Sequence, residues 1–120
     1  MDNKIPEIKK DKYFDNRNGY SQIYSLHCNK CEELLTYYQK DGAGKIKRIY
    51  VDRISNSDIV KNFSIDHKLM CPQCQGILGL GYIYQKEQRA AYKLFEGEVK
   101  KAPIDFWRNI KFMLFLLLKK

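Results

Sequence analysis

Cys28-Asn29-Lys30-Cys31 and Cys71-Pro72-Gln73-Cys74 hold all four cysteines of the chain, as two Cys-x-x-Cys pairs 43 positions apart. A Cys-x-x-Cys turn brings two sulfurs within reach of one metal ion, and a structural Zn²⁺ takes four such ligands tetrahedrally at about 2.3 Å. The stretch therefore reads as one site for one structural Zn²⁺, ligated by Cys28, Cys31, Cys71 and Cys74. Such a site is closed, with no coordination position left for water, which argues against catalysis by the metal. Four thiolates also accept iron, so zinc is chosen here on abundance and context, not on spacing.

Two rival readings of the cysteines explain less. Disulfides need an oxidising compartment, and the opening Met1-Asp2-Asn3-Lys4 lacks the pattern of a secretory signal, so the expectation is a cytoplasmic protein with reduced thiols. A thioredoxin-like redox pair would account for one Cys-x-x-Cys and leave the other idle, and no βαβ pattern surrounds either.

Length and composition bound the rest. With 120 residues the chain has room for one domain and a tail. Nine tyrosines and six phenylalanines favour half-buried strands. The formal net charge is +8, from which four metal-bound thiolates would subtract about two. A basic balance of this size is compatible with nucleic acid, an anionic membrane surface or an acidic protein and selects none of them.

Residues 1–22 mix five basic and four acidic groups with few apolar side chains, and read as a loose arm outside the core. Ile23 to His27 is a short strand entering the first cysteine pair. His27 adjoins Cys28, but with four cysteines available it reads as a strand-end histidine and not a ligand. Two β-rich runs, 32–40 and 45–54, flank Asp41-Gly42-Ala43-Gly44 and predict a hairpin. Lys40, Lys45, Lys47, Arg48 and Arg53 make this the densest basic cluster, a solvated strand face on one reading. On the other it is a phosphate-binding face, with Tyr37, Tyr38 or Tyr50 as stacking platforms. Residues 55–67 form a connection with one short helical turn after an Asn or Ser cap, and His67 within it reads as exposed. Beyond the second pair, 77–84 and 90–95 flank a polar turn as a second hairpin, in which Gly79 and Gly81 mark a bulge or a close backbone approach.

The order is thus cysteine pair, hairpin, connection, cysteine pair, hairpin. It predicts a mainly β fold in which two zinc knuckles with antiparallel hairpins share one metal. Two Cys-x-x-Cys knuckles about forty residues apart, each feeding antiparallel strands, resemble the β-tent proteins: the yippee family, the thalidomide-binding domain of cereblon and methionine sulfoxide reductase B. The separation exceeds the roughly 15–20 residues of a simple zinc ribbon, which leaves a β-tent or an elongated ribbon. The run from Leu34 to Ile54, followed by Cys71-Pro72-x-Cys74, is also similar to small bacterial and archaeal zinc-binding proteins of unassigned function. The resemblance covers about residues 23–101 and implies a fold, not an activity. The reductase needs a catalytic cysteine besides its metal ligands, and here the metal would take all four. The two histidines and scattered carboxylates form no nucleophile, base and orienting-group set, so the chain reads as no enzyme.

The domain reading is then an arm at 1–22, a zinc-binding β domain at 23–101 and a hydrophobic C-terminal helix at 102–120. Pro103 near the start, Asp105 after it and Lys119-Lys120 at the end suit a helix and its dipole. Residues 104–118 would rise only about 22 Å, short of a hydrocarbon core of about 30 Å. Docking on the domain or on a partner chain, or lying as an interfacial anchor with Trp107 at the headgroups, are the expectations for this segment. The function expected is a non-enzymatic, zinc-stabilised module that contacts another protein or itself through the C-terminal helix. The alternative is nucleic-acid binding through the basic hairpin at 40–53; peripheral membrane contact also fits.

Overall fold

The computed structural model describes residues 5–17 and 19–104. Seven strands form two antiparallel sheets: β1 (Ser21–Cys28), β2 (Leu34–Asp41), β3 (Arg48–Tyr50), β4 (Lys68–Met70), β5 (Ile77–Tyr84), β6 (Arg89–Leu94) and β7 (Val99–Pro103). The first sheet has the order β2-β1-β7 and the second β3-β6-β5-β4. Two short helices, α1 (Lys12–Asn16) and α2 (Ser57–Lys61), complete the described elements together with a 3-10 turn at Val51–Arg53.

Each cysteine pair is the turn of a hairpin. β1 runs into Cys28 and returns as β2, pairing Ser21 with Asp41 through His27 with Leu34. β4 runs to Met70 and returns as β5, pairing Lys68 with Leu80 and Met70 with Ile77. The repeat read from the cysteine spacing is therefore real, but its unit is strand, knuckle, strand. The β5–β6 hairpin follows as expected, Gly79 to Tyr84 opposite Leu94 to Arg89.

The hairpin expected across residues 41–44 does not form. β2 and β3 belong to different sheets, and β3 pairs with β6 through Arg48 with Lys93 and Tyr50 with Ala91. The reason is local. Gly42 and Gly44 both take left-handed φ, 82° and 104°, with Ala43 between them, so the loop carries the chain across and not back. Gly42 N–H donates to Tyr20 O at 2.7 Å, and Leu94 N–H to Lys47 O at 3.1 Å, fastening the crossing at both ends. Backbone pairing with β2 resumes at Ile54, bridged to Tyr38, and at Ser55, whose N–H donates to Tyr37 O.

The core lies between the sheets. Leu26, Leu35 and Tyr38 from the first meet Ile49, Leu69, Leu78 and Tyr92 from the second, with Cys28 and Cys71 at one end. Burying an aliphatic or aromatic side chain of this size stabilises by roughly 1.5–3 kcal/mol, so the contacts between sheets, and not the short ladders alone, hold the halves together. Asn56 caps α2 by accepting from the N–H groups of Asp58 and Ile59, the cap expected for this connection.

Residues 5–17 lie against the sheets. Asp11 caps α1 and reaches Arg53, while Lys9 N–H donates to Gln39 Oε1 at 2.6 Å. At the other end, β7 continues to Pro103, which pairs with Tyr24, so residues 102 and 103 are strand. The C-terminal helix expected from residue 102 otherwise falls on residues 105–120, outside the described residues. Among the described residues, no helix is long and apolar enough to cross a membrane.

Candidate metal centre and the surfaces beside it

The two knuckles are superposable in their hydrogen bonds. Cys28 N–H donates to Glu33 O at 3.0 Å and Glu32 N–H to Cys28 O at 2.9 Å; Cys71 N–H donates to Gly76 O and Gln75 N–H to Cys71 O, both at 2.9 Å. In each, the residue after the second cysteine takes a left-handed φ, 67° at Glu32 and 62° at Gln75. Gly76 is not at that position; its backbone is ordinary, and a Cβ there would rest 3.5 Å from Cys74 Sγ.

These turns bring the four sulfurs together, all within 4.8 Å of one another. Cys28 Sγ lies 3.7 Å from Cys74 Sγ, and Cys31 Sγ 3.5 Å from Cys71 Sγ. A tetrahedron with bonds of about 2.3 Å has edges of about 3.8 Å, whereas a disulfide would need about 2.05 Å. Both of these contacts run between knuckles, so one ion would bridge the sheets. Cys28 and Cys71 are buried, Cys31 half-buried and Cys74 exposed, placing the centre at the edge of the core.

The electrostatics fit a cation. The Cys31 N–H donates to Cys28 Sγ and, with the Lys30 N–H and the neighbouring thiols, outweighs burial to hold the Cys28 thiol down to about 7. Cys31 behaves oppositely: the Glu33 N–H favours its thiolate, but burial and the thiols of Cys71, Cys28 and Cys74 push it up to about 12. Four sulfurs this close cannot all carry charge unless a positive ion sits among them. The residues present therefore fit one metal ion of tetrahedral thiolate preference.

Neither histidine belongs to the cysteine group. His27 turns its ring to Glu32 O and Ser25 Oγ, at 3.1 and 3.0 Å, and braces the knuckle. His67 is half-buried beside Tyr92, its ring 6.4 Å away, and lines an apolar groove between the sheets.

The basic cluster is redistributed. Arg53 is interior, its side chain 0% exposed, with Nε to Asp41 Oδ2 at 2.9 Å and a two-pronged pair to Asp11 at 2.6 and 2.9 Å. Arg89 is likewise buried, forked onto Asp52, paired with Glu87, and held between the rings of Tyr13 and Tyr50, each 3.7 Å away. Tyr38 is buried and accepts from Tyr50 N–H at 2.9 Å, so it offers no stacking face. Arg48 lies over the Tyr84 ring at 4.3 Å and donates to Tyr82 Oη at 2.8 Å.

What remains outside is joined by cations distant in sequence. Arg17, Lys40, Lys45, Lys47 and Arg48 line one cavity. Lys45 and Lys47 also line its neighbour, together with Lys93, Lys100 and Lys101. Burial first, then Lys101 and Arg17, push Lys40 below its ordinary value, a sign of crowded positive charge. Among the described residues, Lys40, Lys45, Lys47, Arg48, Lys93 and Lys101 have no carboxylate within ion-pair distance, whereas Arg17 pairs with Glu87 and Lys100 with Glu32. Lys93 and Lys101 could be found only from the crossing at residues 42–47, which no local pattern reveals.

Compared with protein-family models, curated proteins and solved structures, the chain gives no significant match.

Proposed function

We propose that this chain is a zinc-clamped β module, without catalytic activity of its own, that binds the phosphate backbone of a nucleic acid along the cationic surface beside the 42–47 crossing. The observation that carries this reading is the convergence of Lys40, Lys45, Lys47, Arg48, Lys93 and Lys101 without carboxylate partners among the described residues. Uncompensated cations raise the folded state's self-repulsion, and an anionic polymer relieves it by releasing its counterions. The buried pairs of Arg53 and Arg89 fix the scaffold beneath and leave the outer lysines available.

The experiment is a titration of labelled RNA and DNA into the metal-loaded full chain at two salt concentrations. Six phosphate contacts predict a slope of affinity against salt of about −4 to −5 on logarithmic axes. Neutralising Lys45 and Lys47 to Gln should weaken binding and flatten that slope. Affinity indifferent to salt and to these changes would sink the reading. Elemental analysis of the reduced protein distinguishes zinc from iron.

A second reading, a module that contacts another protein, is favoured by one observation. An apolar groove of about 300 Å³ lies between the sheets, with Met70, 46% exposed, at its rim. Its test is co-purification: a stoichiometric protein partner lost on Met70→Asp would support it.

A further inference from the structure

Resting on the nucleic-acid reading above, we propose that the polymer is single-stranded and that one of its unpaired bases stacks on Phe95. Phe95 is 42% exposed immediately after β6. Its position is nevertheless set by the backbone: its N–H donates to Leu78 O at 2.9 Å, and its carbonyl accepts from Glu98 N–H at 3.3 Å across a turn where Gly97 has φ of 80°. With the main chain fixed in this way only two side-chain torsions are left to order on binding, which is what makes an aromatic side chain an effective platform.

The cleft it faces has a volume of about 520 Å³, with Ile46 and Leu94 as apolar neighbours. Lys45, Lys47, Lys93 and Lys101 line the same cleft, as does Lys100, which is paired with Glu32, and Glu96 is the acidic residue among the lining. Apolar and aromatic side chains lining one cleft with several lysines match a polymer that carries flat faces and phosphates in alternation. Base faces are accessible in a single strand and hidden in a duplex, so the aromatic lining favours the former. Tyr50 and Tyr84 are less suited to this role, because Arg89 and Arg48 each already take one face of these rings, which also meet each other edge to face.

The test uses the metal-loaded full chain and fluorescence anisotropy of a labelled oligothymidine of about twelve nucleotides, within the usual site size. A blunt duplex of the same length and anionic phosphatidylserine vesicles serve as comparisons. The expected result is tighter binding of the single strand than of the duplex. Phe95→Leu should lower single-strand affinity about tenfold without altering duplex binding or the salt slope, and Phe95→Tyr should restore it. Thermal unfolding of both variants checks that the fold is intact. Equal binding of both nucleic acids with no effect of Phe95→Leu overturns this inference and leaves the cationic reading standing. Binding to neither nucleic acid at low salt overturns both, as does binding to the vesicles alone.

Discussion

Glu32 and Gln75 occupy the same place in the two knuckles, each directly after the second cysteine of its pair and each in the left-handed region, at φ of 67° and 62°. Residues with a Cβ are disfavoured there by roughly 1–2 kcal/mol, and glycine is not. Both knuckles tolerate this because the hydrogen bonds on either side determine the backbone.

Gln75→Gly should therefore stabilise the metal-loaded protein. Relief of strain is offset by the greater freedom of glycine in the unfolded chain, leaving a gain of about 0.5–1 kcal/mol. The thermal midpoint should rise by a few degrees, and Gln75→Val should lower it. Gln75 is a cleaner site than Glu32, whose carboxylate also pairs with Lys100 at 2.5 Å.

Removing the metal should separate the two sheets' knuckles, because close sulfur contacts join Cys28 to Cys74 and Cys31 to Cys71 across them. Binding of a structural zinc contributes on the order of 10–16 kcal/mol in small domains, more than the usual net stability of a domain of 5–15 kcal/mol. Chelation or Cys71→Ser should give a chain with a broad, early unfolding transition by circular dichroism. Metal uptake displaces thiol protons, so affinity should fall as pH falls from about 12, the value to which the Cys31 thiol is pushed, and more steeply below about 7, where the Cys28 thiol is protonated as well. A sharp transition unchanged by chelation would contradict the metal's structural role.

Much of this centre was legible in sequence because a Cys-x-x-Cys pair is a local signal: both knuckles, the strand entering the first, the β5–β6 hairpin and the Asn56 cap follow from neighbours a few positions apart. The partner of β2 was not. Asp41-Gly42-Ala43-Gly44 has the composition of a tight turn, yet its two left-handed glycines direct the chain to β6, and only the distant ladder from Lys93 to Ala91 determines that. The same limit hid Arg53. Its burial depends on Asp11, 42 positions earlier, in a segment whose polarity reads as solvent-loving. Charge in a sequence does not reveal that it is matched in space.

That pairing makes a pH prediction. The Arg53 guanidinium, then the N–H groups of Phe14 and Tyr13, hold the Asp11 carboxyl well below the usual carboxylate range despite some opposing burial. Because the folded value is lowered from 3.8, the stabilisation is complete well above that pH and is lost as pH falls below it. Asp11→Asn should cost about 1 kcal/mol at neutral pH, a modest figure because the Asp11 side chain is 42% exposed and screened. Measured against the variant at each pH, which cancels the thiols' own titration, the difference should shrink toward pH 3.

Arg89→Lys should cost more, about 2–3 kcal/mol. A lysine cannot fork onto Asp52, reach Glu87 and lie flat between Tyr13 and Tyr50 at once. Because Tyr13 belongs to α1, the variant should also make residues 5–17 more accessible to limited proteolysis while the metal content stays unchanged. Equal proteolysis rates would show that this stacking does not hold the helix.

Gly79 and Gly81 stand where the second sheet meets its neighbours backbone to backbone. A Cβ on Gly79 would fall inside contact distance of Lys93 O, the strand opposite, and one on Gly81 inside that of Ser64 O in the connection. Neither glycine has a left-handed φ, so the requirement is space and not conformation. A carbonyl in a hydrogen-bonded frame cannot swing aside like the end of a long side chain. Asp66 N–H donates to Gly81 O at 2.8 Å and Gly81 N–H to His67 O at 2.9 Å, so moving Ser64 disturbs both bonds. Each Gly→Ala change should therefore cost about 2–3 kcal/mol, and Gly81→Ala should in addition raise amide hydrogen exchange at Asp66. Gly44→Ala makes the contrast, since nothing lies within 4 Å of its Cβ position and its cost should come from φ of 104° alone. If all three changes destabilise equally and Asp66 exchange is unaltered, close packing is not why glycine stands at 79 and 81.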